Sequence, residues 1–394
     1  MTRRAILGHA VKWSVGIGAA SISGFLLAPM MVPAADGPYL SLGYLAYRRL
    51  FNVTLPPYGA AGDGLADDGP AIQAAIDDAA RAGGGIVYLP AGTYLLKSLQ
   101  WQTGVRAYLL NYFSGIAIIG AGRNLTTLRA GPGMPNETRI LSANSANGAS
   151  RVSQVHFQDF TVDGAAALQP AARCMVGISN VWTDRITLMG VRVERVKGTA
   201  GAEGEGVCFD SYNATNHEYL DCEAVQTGVA ATGSGFGATY ASDITYRGCR
   251  ASGSGYWMGF TVFRSEAVSY HDCHGVLNAQ RGLNCEYSKG IRYVNCHAGG
   301  QAARNLGDGI YVYQSSNVDV IDCVSNGNLN GLLNNGSSVR VIRGDFSQNR
   351  SAGLAFVSQT DWDNTTLEEP PAVSTNGLAS ILIQGQPQII EGMS

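Results

Sequence analysis

Five cysteines recur at the same place in five consecutive segments of this chain. They are Cys222, Cys249, Cys273, Cys296 and Cys323, spaced 27, 24, 23 and 27 residues apart. A repeat of this length, with one strand-like stretch per copy, indicates a stack of units in which each unit buries its face only against its neighbours. The units are too short for helix pairs, and their content of Val, Ile, Tyr, Gly and Asn favours strands. The sequence therefore predicts an all-β fold, a single-stranded right-handed parallel β-helix.

The composition agrees with a solenoid. A chain of 394 residues is long for one globular core, but a solenoid grows by adding coils and remains one domain. The 51 glycines and the low charged fraction of 14% suit tight corners and stacked strands. The formal net charge of −3 gives no electrostatic footprint for nucleic acid or an anionic membrane. We therefore expect no nucleic-acid partner.

The N-terminus predicts export. Residues 2–7 carry Arg3 and Arg4 and resemble a twin-arginine signal, and an apolar stretch follows over residues 13–32. We expect a signal or anchor over residues 1–35, a linker over 36–50 and a β-helix domain over 51–394. A cleaved signal gives a periplasmic or secreted protein, whereas an uncleaved one adds a membrane anchor, because the apolar stretch is nearly long enough to span a bilayer.

The cysteines raise the question of disulfides, since cysteines of exported proteins usually pair. Equivalent residues on adjacent coils of a β-helix lie about 4.8 Å apart, and cysteines facing inward there behave as small buried hydrophobes. No Cys/His spacing typical of zinc sites is present in the sequence. We predict a stacked cysteine ladder and neither disulfides nor a metal site.

Residues 51–94 read as an N-terminal cap made of a strand, a turn, a short helix, a glycine corner and a strand. Asp67 or Asp68 can cap the helix and Pro70 falls in its first turn. The apolar stripe of the helix is formed by Ile72, Ala75, Ile76 and Ala79. Such a helix would cover the open end of the solenoid. We interpret Asp63, Asp67 and Asp68 as turn and cap residues rather than catalytic ones.

The same stretch contains Tyr58-Gly-Ala-Ala-Gly-Asp63-Gly, Gly83-Gly-Gly-Ile-Val-Tyr-Leu-Pro90 and Ala91-Gly-Thr-Tyr94. These motifs resemble the N-terminal signature of the pectate-lyase-like superfamily, which includes polygalacturonase-related proteins, mannuronan C5-epimerases and some phage tailspikes. The resemblance implies a parallel β-helix with an N-terminal cap and says little about the reaction. The repeats up to Phe356 fit this fold, and beyond residue 361 we expect an irregular C-terminal end with one more strand over 381–383.

A second strand in each coil begins at a glycine. Side chains alternate faces along a strand, so the second and fourth residues after the glycine are predicted to point outward. The two outward columns are Cys208, Thr261, Asn284, Tyr311, Leu333 and Asp210, Phe263, Glu286, Tyr313, Asn335. Aromatic, amide and acidic side chains in stacked columns predict a groove that binds sugars. The alternative is that these columns are an ordinary polar surface of the solenoid and bind no ligand. The predicted substrate-binding residues are Tyr240, Asn284, Tyr287, Tyr313, Gln314 and Asn335.

Removal of the C5 proton of a uronate, by a lyase or an epimerase, is the favoured chemistry. It needs a group that neutralises the carboxylate and a base. Arg264, Arg281 or Asn284 are the candidate neutralisers. The candidate bases or acids are Tyr212, Tyr240 and Tyr311, provided that nearby cations lower a tyrosine pKa. Spacing along the coils predicts that Arg281 pairs with Asp308, Glu286 with Tyr313 and Asn284 with Tyr311.

A second motif also resembles the mannuronan C5-epimerases. Gly206-Val-Cys-Phe209-Asp210-Ser-Tyr212 resembles the epimerase active-site motif, in which a Phe-Asp pair is followed two residues later by His. The resemblance implies a catalytic role for Asp210. Tyr212 occupies the histidine position, and Val207 stands where the family has tyrosine.

Inverting hydrolysis is the alternative chemistry, and it needs two carboxyl groups about 6.5–9.5 Å apart. Asn305-Leu-Gly-Asp308-Gly resembles the Asn-Thr-Asp-Gly motif of polygalacturonases with one inserted residue. Asn330 and Asn335 stand where that family has its acidic pair, which leaves Glu286 with Asp308 as the carboxyl pair.

No metal or cofactor is predicted. Asp210 and Glu286 lie three coils apart, about 14 Å by strand spacing, too far for one calcium ion with ligands at about 2.3–2.6 Å. The sequence thus predicts an exported enzyme that acts on a uronic-acid-containing polysaccharide, with a non-catalytic carbohydrate-binding protein as the remaining alternative. The predicted catalytic residues are Asp210, Tyr212, Arg264, Arg281, Glu286, Asp308 and Tyr311.

Overall fold

A computed structural model describes residues 49–102, 106–145, 150–170, 174–198, 206–227, 233–255, 258–301, 307–369 and 371–388. The predicted signal and nearly all of the predicted linker lie outside these residues. Among the described residues, no helix combines the length and the apolar character needed to cross a bilayer.

The described chain forms a parallel β-helix in which each regular coil contributes one strand to each of three sheets. The first sheet contains Leu50–Asn52, Gly85–Leu89, Ile116–Gly120, Val152–Gln158, Thr183–Met189, Thr215–Leu220, Ser242–Arg247, Glu266–His271, Lys289–Val294, Ser316–Ile321, Val339–Ile342 and Thr365–Glu368. The second sheet contains Asp63–Asp67, Gly92–Leu96, Thr126–Ala130, Thr161–Asp163, Arg192–Glu194, Glu223–Val225, Arg250–Ser252, His274–Val276, His297–Gly299 and Val324–Asn326. The third sheet contains Gln100–Gln102, Arg106–Tyr112, Thr138–Ala143, Met175–Val181, Val207–Tyr212, Ser234–Thr239, Phe260–Phe263, Leu283–Glu286, Ile310–Tyr313, Asn330–Asn335, Ala352–Phe356, Ala379–Ile383 and Gln386–Gln388. The predicted all-β, parallel β-helix class is confirmed.

The sequence predicted two strands in each coil, and the structure adds a third. The additional strand follows the repeated cysteine directly, as in Glu223–Val225 after Cys222. Most strands of this second sheet in the regular coils are three residues long, and so short a run shows no clear alternation of apolar and polar residues.

Identical side chains stack along the inside of the solenoid. The five repeated cysteines are fully buried and free. Cys249 Sγ, for example, donates to the carbonyl oxygen of Tyr219 on the preceding coil. The rings of Tyr219, Tyr246, Tyr270 and Tyr293 stack with centroids 4.7, 4.8 and 5.0 Å apart. The predicted cysteine ladder is therefore confirmed, and a tyrosine ladder lies beside it.

The cap helix runs from Gly69 to Arg81 and buries the predicted apolar stripe. Asp68 occupies the N-cap position, but its carboxylate accepts hydrogen bonds from the backbone N–H groups of Ala61 and Gly62 instead of capping the helix. The other helices among the described residues are a 3₁₀ turn at Ala166–Leu168 and a short helix at Gln359–Asp363.

The strand predicted over 381–383 is present, but the coils past residue 361 are more regular than expected. Thr365–Glu368 pairs in parallel with Val339–Ile342, and Ala379–Ile383 pairs in parallel with Ala352–Phe356. An antiparallel strand, Gln386–Gln388, then covers the last strand of the third sheet.

Two ladders of polar side chains hold the corners. At the corner before the third sheet, side-chain oxygens accept the backbone N–H of the preceding coil, in the series Asn278, Gln301, Asn328, Asn349 and Asn376. At the corner after the third sheet, hydroxyl groups do the same, in the series Ser265, Ser288, Ser315 and Ser337. These bonds satisfy backbone donors that leave the sheets at each corner.

Candidate functional site

The outward face of the third sheet carries two columns of side chains that the strand register defines. The first column contains Asp210, Gly237, Thr261, Asn284, Tyr311 and Leu333. The second column contains Tyr212, Thr239, Phe263, Glu286, Tyr313 and Asn335. The predicted columns were therefore right from Thr261 onward and wrong before it.

The predicted columns differ from the observed ones at two strands. Cys208 was predicted to point outward, but it is fully buried, and the register puts Asp210 rather than Cys208 in the first column. The strand Ser234–Thr239 was not predicted at all. A visible signal was available, because Phe209, Phe236 and Phe260 are 27 and 24 residues apart, the same spacings that separate Cys222, Cys249 and Cys273.

A ledge of exposed side chains follows the second column, at the corner between the third and first sheets. It consists of Tyr240, Arg264, Tyr287 and Gln314, with φ angles of 51°, 48°, 51° and 43°. These residues are left-handed, a conformation that also occurs at other corners of the solenoid, for example at Asp221 and Asp272. The serine after each of Arg264, Tyr287 and Gln314 belongs to the corner ladder, so backbone bonds between coils fix the ledge.

Arg264 is held at the centre of the ledge by aromatic rings. Its guanidinium carbon lies 5.8 Å from the ring centroid of Tyr240, 5.2 Å from that of Phe263 and 5.7 Å from that of Tyr287. Its Nη1 donates to the phenolic oxygen of Tyr240 at 3.0 Å. No carboxylate among the described residues lies within ion-pair distance of Arg264. The arrangement is a preoriented cation with N–H groups available to an anion.

Aromatic side chains run along the groove formed by the two columns and the ledge. Neighbouring centroids in the series Tyr212, Tyr240, Phe263, Tyr287, Tyr313 and Tyr311 are 5.6, 6.2, 5.6, 5.0 and 6.2 Å apart. The depression around Tyr240, Arg264 and Tyr287 has a volume of about 510 Å³ and is open to solvent. Tyr212, Tyr240 and Tyr287 are the exposed members of this series, and exposed aromatic side chains suit the apolar faces of sugars.

A second cationic group is neutralised internally. Arg281 Nη1 lies 3.2 Å from Glu286 Oε1 and donates to Asn284 Oδ1 at 3.0 Å. The guanidinium carbon of Arg281 lies 3.5 Å from the ring centroid of Tyr311. Asn284 Nδ2 also donates to Glu286. The predicted pair Arg281–Asp308 was wrong, because the long side chain of Arg281 reaches along its own coil to Glu286. The register does place Asn284 beside Tyr311 and Glu286 beside Tyr313, as predicted, although Asn284 and Glu286 hydrogen-bond to each other and to Arg281.

Asp308 lies beneath the groove surface and is 1% exposed. Its Oδ1 accepts a hydrogen bond from Asn330 Nδ2 at 2.8 Å. Burial raises the pKa of Asp308, against the opposing effects of Asn330 and Arg281. A carboxyl group in this position does not reach a ligand in the groove, so Glu286 and Asp308 do not form an accessible carboxyl pair.

The tyrosines differ in their suitability for proton transfer. Burial raises the pKa of Tyr311, and the guanidinium of Arg281 only partly offsets this effect. A hydrogen bond with Tyr313 raises the pKa of Tyr287. Both phenols therefore remain protonated at neutral pH and suit proton donation better than proton abstraction. The condition that a nearby cation lowers the pKa of the tyrosine is not met at Tyr311, because burial is a larger effect than the charge of Arg281.

Asp210 and Tyr212 lie on one strand, and a buried polar network supports that strand. Ser211 Oγ, between them, contacts His217 Nδ1 at 3.2 Å and the Tyr219 hydroxyl at 2.6 Å. His217 Nε2 contacts Thr183 Oγ1 at 3.0 Å. Burial lowers the pKa of His217 to about 3, so the imidazole is neutral. This network was not predicted, because His217 stands in a position that is apolar in the following coils.

The predicted site residues thus fall into groups along one face. Asp210 and Tyr212 lie at one end, the ledge with Arg264 lies in the middle, and Arg281, Asn284, Glu286 and Tyr311 lie on the later coils. Asn335 is at the far end, where its Nδ2 lies 3.5 Å from the Tyr311 hydroxyl. Within the described part of the chain, no group of three or more His, Cys, Asp or Glu side chains is arranged to hold a metal ion.

Known proteins match this chain over parts of its length. It is 39% identical to mannuronan C5-epimerase AlgE3 of Azotobacter vinelandii over 135 residues, which are 33% of this chain and 7% of that protein. It is 40% identical to alginate lyase 7 of the same organism over 108 residues, 27% of this chain and 12% of that protein. The chain therefore matches only a small part of the length of these relatives.

Solved structures show the same fold. The A-module of the Azotobacter vinelandii mannuronan C5-epimerase AlgE4 matches with a TM-score of 0.61 and 21% identity, over 88% of this chain and 99% of that one. The surface adhesin PfbA of Streptococcus pneumoniae matches with a TM-score of 0.53 and 13% identity, over 86% of this chain and 93% of that one. A sequence profile of one family matches residues 50–301, more than half of the chain. The chain belongs to the family described as rhamnogalacturonase A/epimerase, pectate lyase-like, and so to the pectate-lyase-like superfamily.

Proposed function

We propose that this protein binds a uronic-acid-containing polysaccharide in the groove of the third sheet and removes the C5 proton of a uronate. The observation that carries the proposal is Arg264, a guanidinium fixed by three aromatic rings and without a carboxylate partner among the described residues. Such a group binds a carboxylate through parallel N–H donors. The relatives named as mannuronan C5-epimerases and an alginate lyase support this substrate class.

Arg264 and Tyr240 define the reacting position in this proposal. A uronate carboxylate bound to Arg264 lies beside the phenolic oxygen of Tyr240, which Arg264 Nη1 already contacts at 3.0 Å. C5 is bonded to the carboxyl carbon, so its proton comes near the same oxygen. The guanidinium stabilises the negative charge that the carboxylate gains as the C5–H bond breaks. In this step the phenolate form of Tyr240 accepts the C5 proton and becomes a phenol, and Tyr212, with its ring 5.6 Å away, donates its hydroxyl proton to C5 in an epimerase or to the leaving oxygen in a lyase.

The later coils position the polymer rather than react with it. Arg281 is 9% exposed and its charge is balanced by Glu286, so it is less suited than Arg264 to neutralise a substrate carboxylate. Asp308, the second carboxyl group predicted for Glu286, is buried and accepts a hydrogen bond from Asn330, so this pair is not reachable from the groove. Inverting hydrolysis, which needs two reachable carboxyl groups, is therefore less well supported.

Polysaccharide binding without chemistry is the second candidate function. It is favoured by the departures from the epimerase motif, where Val207 and Tyr212 replace tyrosine and histidine. In this case Arg264 and the aromatic side chains hold the polymer and no bond changes.

The test is to incubate the protein with alginate, polygalacturonate and acidic microbial exopolysaccharides. Ultraviolet absorbance of an unsaturated uronate establishes a lyase. Deuterium incorporation at C5 without absorbance establishes an epimerase. New reducing ends without either signal would refute proton abstraction and favour hydrolysis. If no polymer is changed, binding measured by calorimetry decides for or against the second candidate.

Export is a further part of this proposal. The twin-arginine-type sequence at residues 2–7 supports a periplasmic or extracellular location, where such polymers occur. Fusion of residues 1–50 to a reporter that depends on the twin-arginine pathway tests it, with Arg3 and Arg4 changed to Lys as the control. Export of the control at the same level would contradict the assignment.

A further inference from the structure

The groove is almost free of net charge along its described length. From the coil of Asp210 to the coil of Tyr313, the residues of the two columns, the ledge and the depression beside it include Arg264 and Lys289 as cations, and Arg281 lies against the first column at Asn284. Arg281 pairs with Glu286 at 3.2 Å, and Lys289 lies 3.7 Å from Glu266. Only Arg264 lacks a carboxylate partner among these described cations.

The same surface contributes carboxylates of its own. Asp210 is in the first column, Glu286 is in the second column, and Glu266 borders the depression. The described cations and carboxylates of the groove are therefore equal in number. At the N-terminal margin, Arg151 Nη1 lies within hydrogen-bond distance of Thr183 O, Asn213 O and Thr215 Oγ1, and these contacts hold it against the protein.

This charge pattern conflicts with a polymer that carries a carboxylate on every sugar. The aromatic series from Tyr212 to Tyr313 spans four coil intervals, about 19 Å at 4.8 Å per coil. Each sugar of an extended 1,4-linked chain advances the chain by a distance close to one strand spacing. A polyuronate would therefore place about four carboxylates over one unpaired guanidinium. The other carboxylates would face phenyl and phenol rings, or side chains whose charge is already paired, such as Glu286 with Arg281.

We infer that the groove selects a sparsely charged heteropolysaccharide, with one uronate at Arg264 and neutral sugars on the aromatic side chains to either side. This inference rests on the proposed function for the position of the uronate. Neutral sugars suit the rest of the groove, because rings accept their apolar faces while Thr239, Thr261 and Gln314 offer hydrogen bonds to hydroxyl groups.

The test compares two probes by titration calorimetry and by the turnover assays described above. Polygalacturonate carries a uronate at every position, and deacylated gellan carries one glucuronate in each tetrasaccharide repeat. We expect gellan to bind at least about tenfold more tightly than polygalacturonate. Its single glucuronate makes one charge-assisted contact, and few of its other groups carry a charge that the groove would repel. Arg264→Gln should weaken gellan binding by about tenfold or more. Arg247→Gln, which removes an exposed charge from the same coil on the first sheet, should change it by less than about twofold.

The outcomes separate this inference from the proposed function. Preferential gellan binding without chemical change refutes proton abstraction on these probes and supports the charge argument. If polygalacturonate binds as tightly as gellan or more tightly, or is turned over faster, the groove does not select a sparsely charged polymer. Turnover of either polymer by proton abstraction still supports the proposed function. Absence of binding to both probes overturns both. An equal loss of gellan binding in Arg264→Gln and Arg247→Gln also overturns the assignment of the uronate to Arg264.

Discussion

The guanidinium of Arg281 lies over the ring of Tyr311, with its carbon 3.5 Å from the ring centroid, and the same guanidinium pairs with Glu286. Three sides of a nearly buried cation are thereby satisfied by a ring, an amide and a carboxylate. The Nε of Arg281 is buried without a hydrogen-bond partner, so the group depends strongly on the partners that it has.

Removal of Glu286 should therefore destabilise the protein. Glu286→Ala leaves the charge of Arg281 uncompensated at a site where its side chain is 11% exposed. We expect a loss of about 1.5–3 kcal/mol in the free energy of unfolding, the range for hydrogen bonds to charged groups. Denaturant unfolding measures it. Glu266→Ala breaks the exposed pair with Lys289 and should cost at most about 0.5 kcal/mol; equal losses in the two variants would contradict the argument.

The sequence revealed the inside of the solenoid more completely than its outside. The inward positions hold the same residue types from coil to coil, as Tyr219, Tyr246, Tyr270 and Tyr293 do, so the repeat is visible without a structure. The second sheet was missed because three-residue strands have no readable period. The strand Ser234–Thr239 was missed because glycine was used as its marker and this strand contains two glycines.

The sequence indicated which residues belong to the site, but it did not indicate which of their side chains contact one another. Register indicates which residues share a column, and it brought Glu286, Asn284 and Tyr311 to one face. Register does not indicate how far a flexible side chain extends, so Asp308 was wrongly predicted as the partner of Arg281 in place of Glu286. The burial of Asp308 could not be predicted either, because the glycine-rich start of its strand does not indicate which residues the neighbouring coils cover.

The amide ladder at the corner before the third sheet should contribute strongly to stability. Asn328 is fully buried, its Oδ1 accepts the backbone N–H of Gln301, and its Nδ2 donates to the carbonyl oxygen of Ala298. Asn328→Ala leaves the backbone N–H of Gln301 without this acceptor and removes one of the donors to the carbonyl oxygen of Ala298, and we expect a loss of about 1–3 kcal/mol by denaturant unfolding. Asn335→Ala, in the half-exposed groove position, should cost less than about 1 kcal/mol. Comparable losses would indicate that the ladder is not a principal stabilising feature.

His217 should make stability depend on pH. An unfolded chain protonates this histidine near its ordinary pKa of 6.5, whereas burial lowers the folded pKa to about 3. Between these pH values the unfolded state binds the additional proton, so this residue lowers stability as pH falls from 6.5 towards 3, by at most about 1.4 kcal/mol per pH unit. His217→Ile introduces the residue that Ile244 provides at the same register position in the next coil. The variant should lose less stability between pH 7 and pH 4.5, and identical pH profiles would refute the assignment.

Tyr240 provides the sharpest test of the proposed chemistry. Its ring is 42% exposed and its hydroxyl contacts Arg264, so Tyr240→Phe removes one oxygen with little change in packing. If Tyr240 takes the C5 proton, kcat should fall by about 10²- to 10⁴-fold, the usual contribution of a positioned acid or base, while polymer affinity changes little. Tyr287→Phe is the matched control, since Tyr287 is 41% exposed on the other side of Arg264. A Tyr240→Phe protein that retains kcat, or a Tyr287→Phe protein that loses it equally, would assign the proton transfer to a different group in the groove.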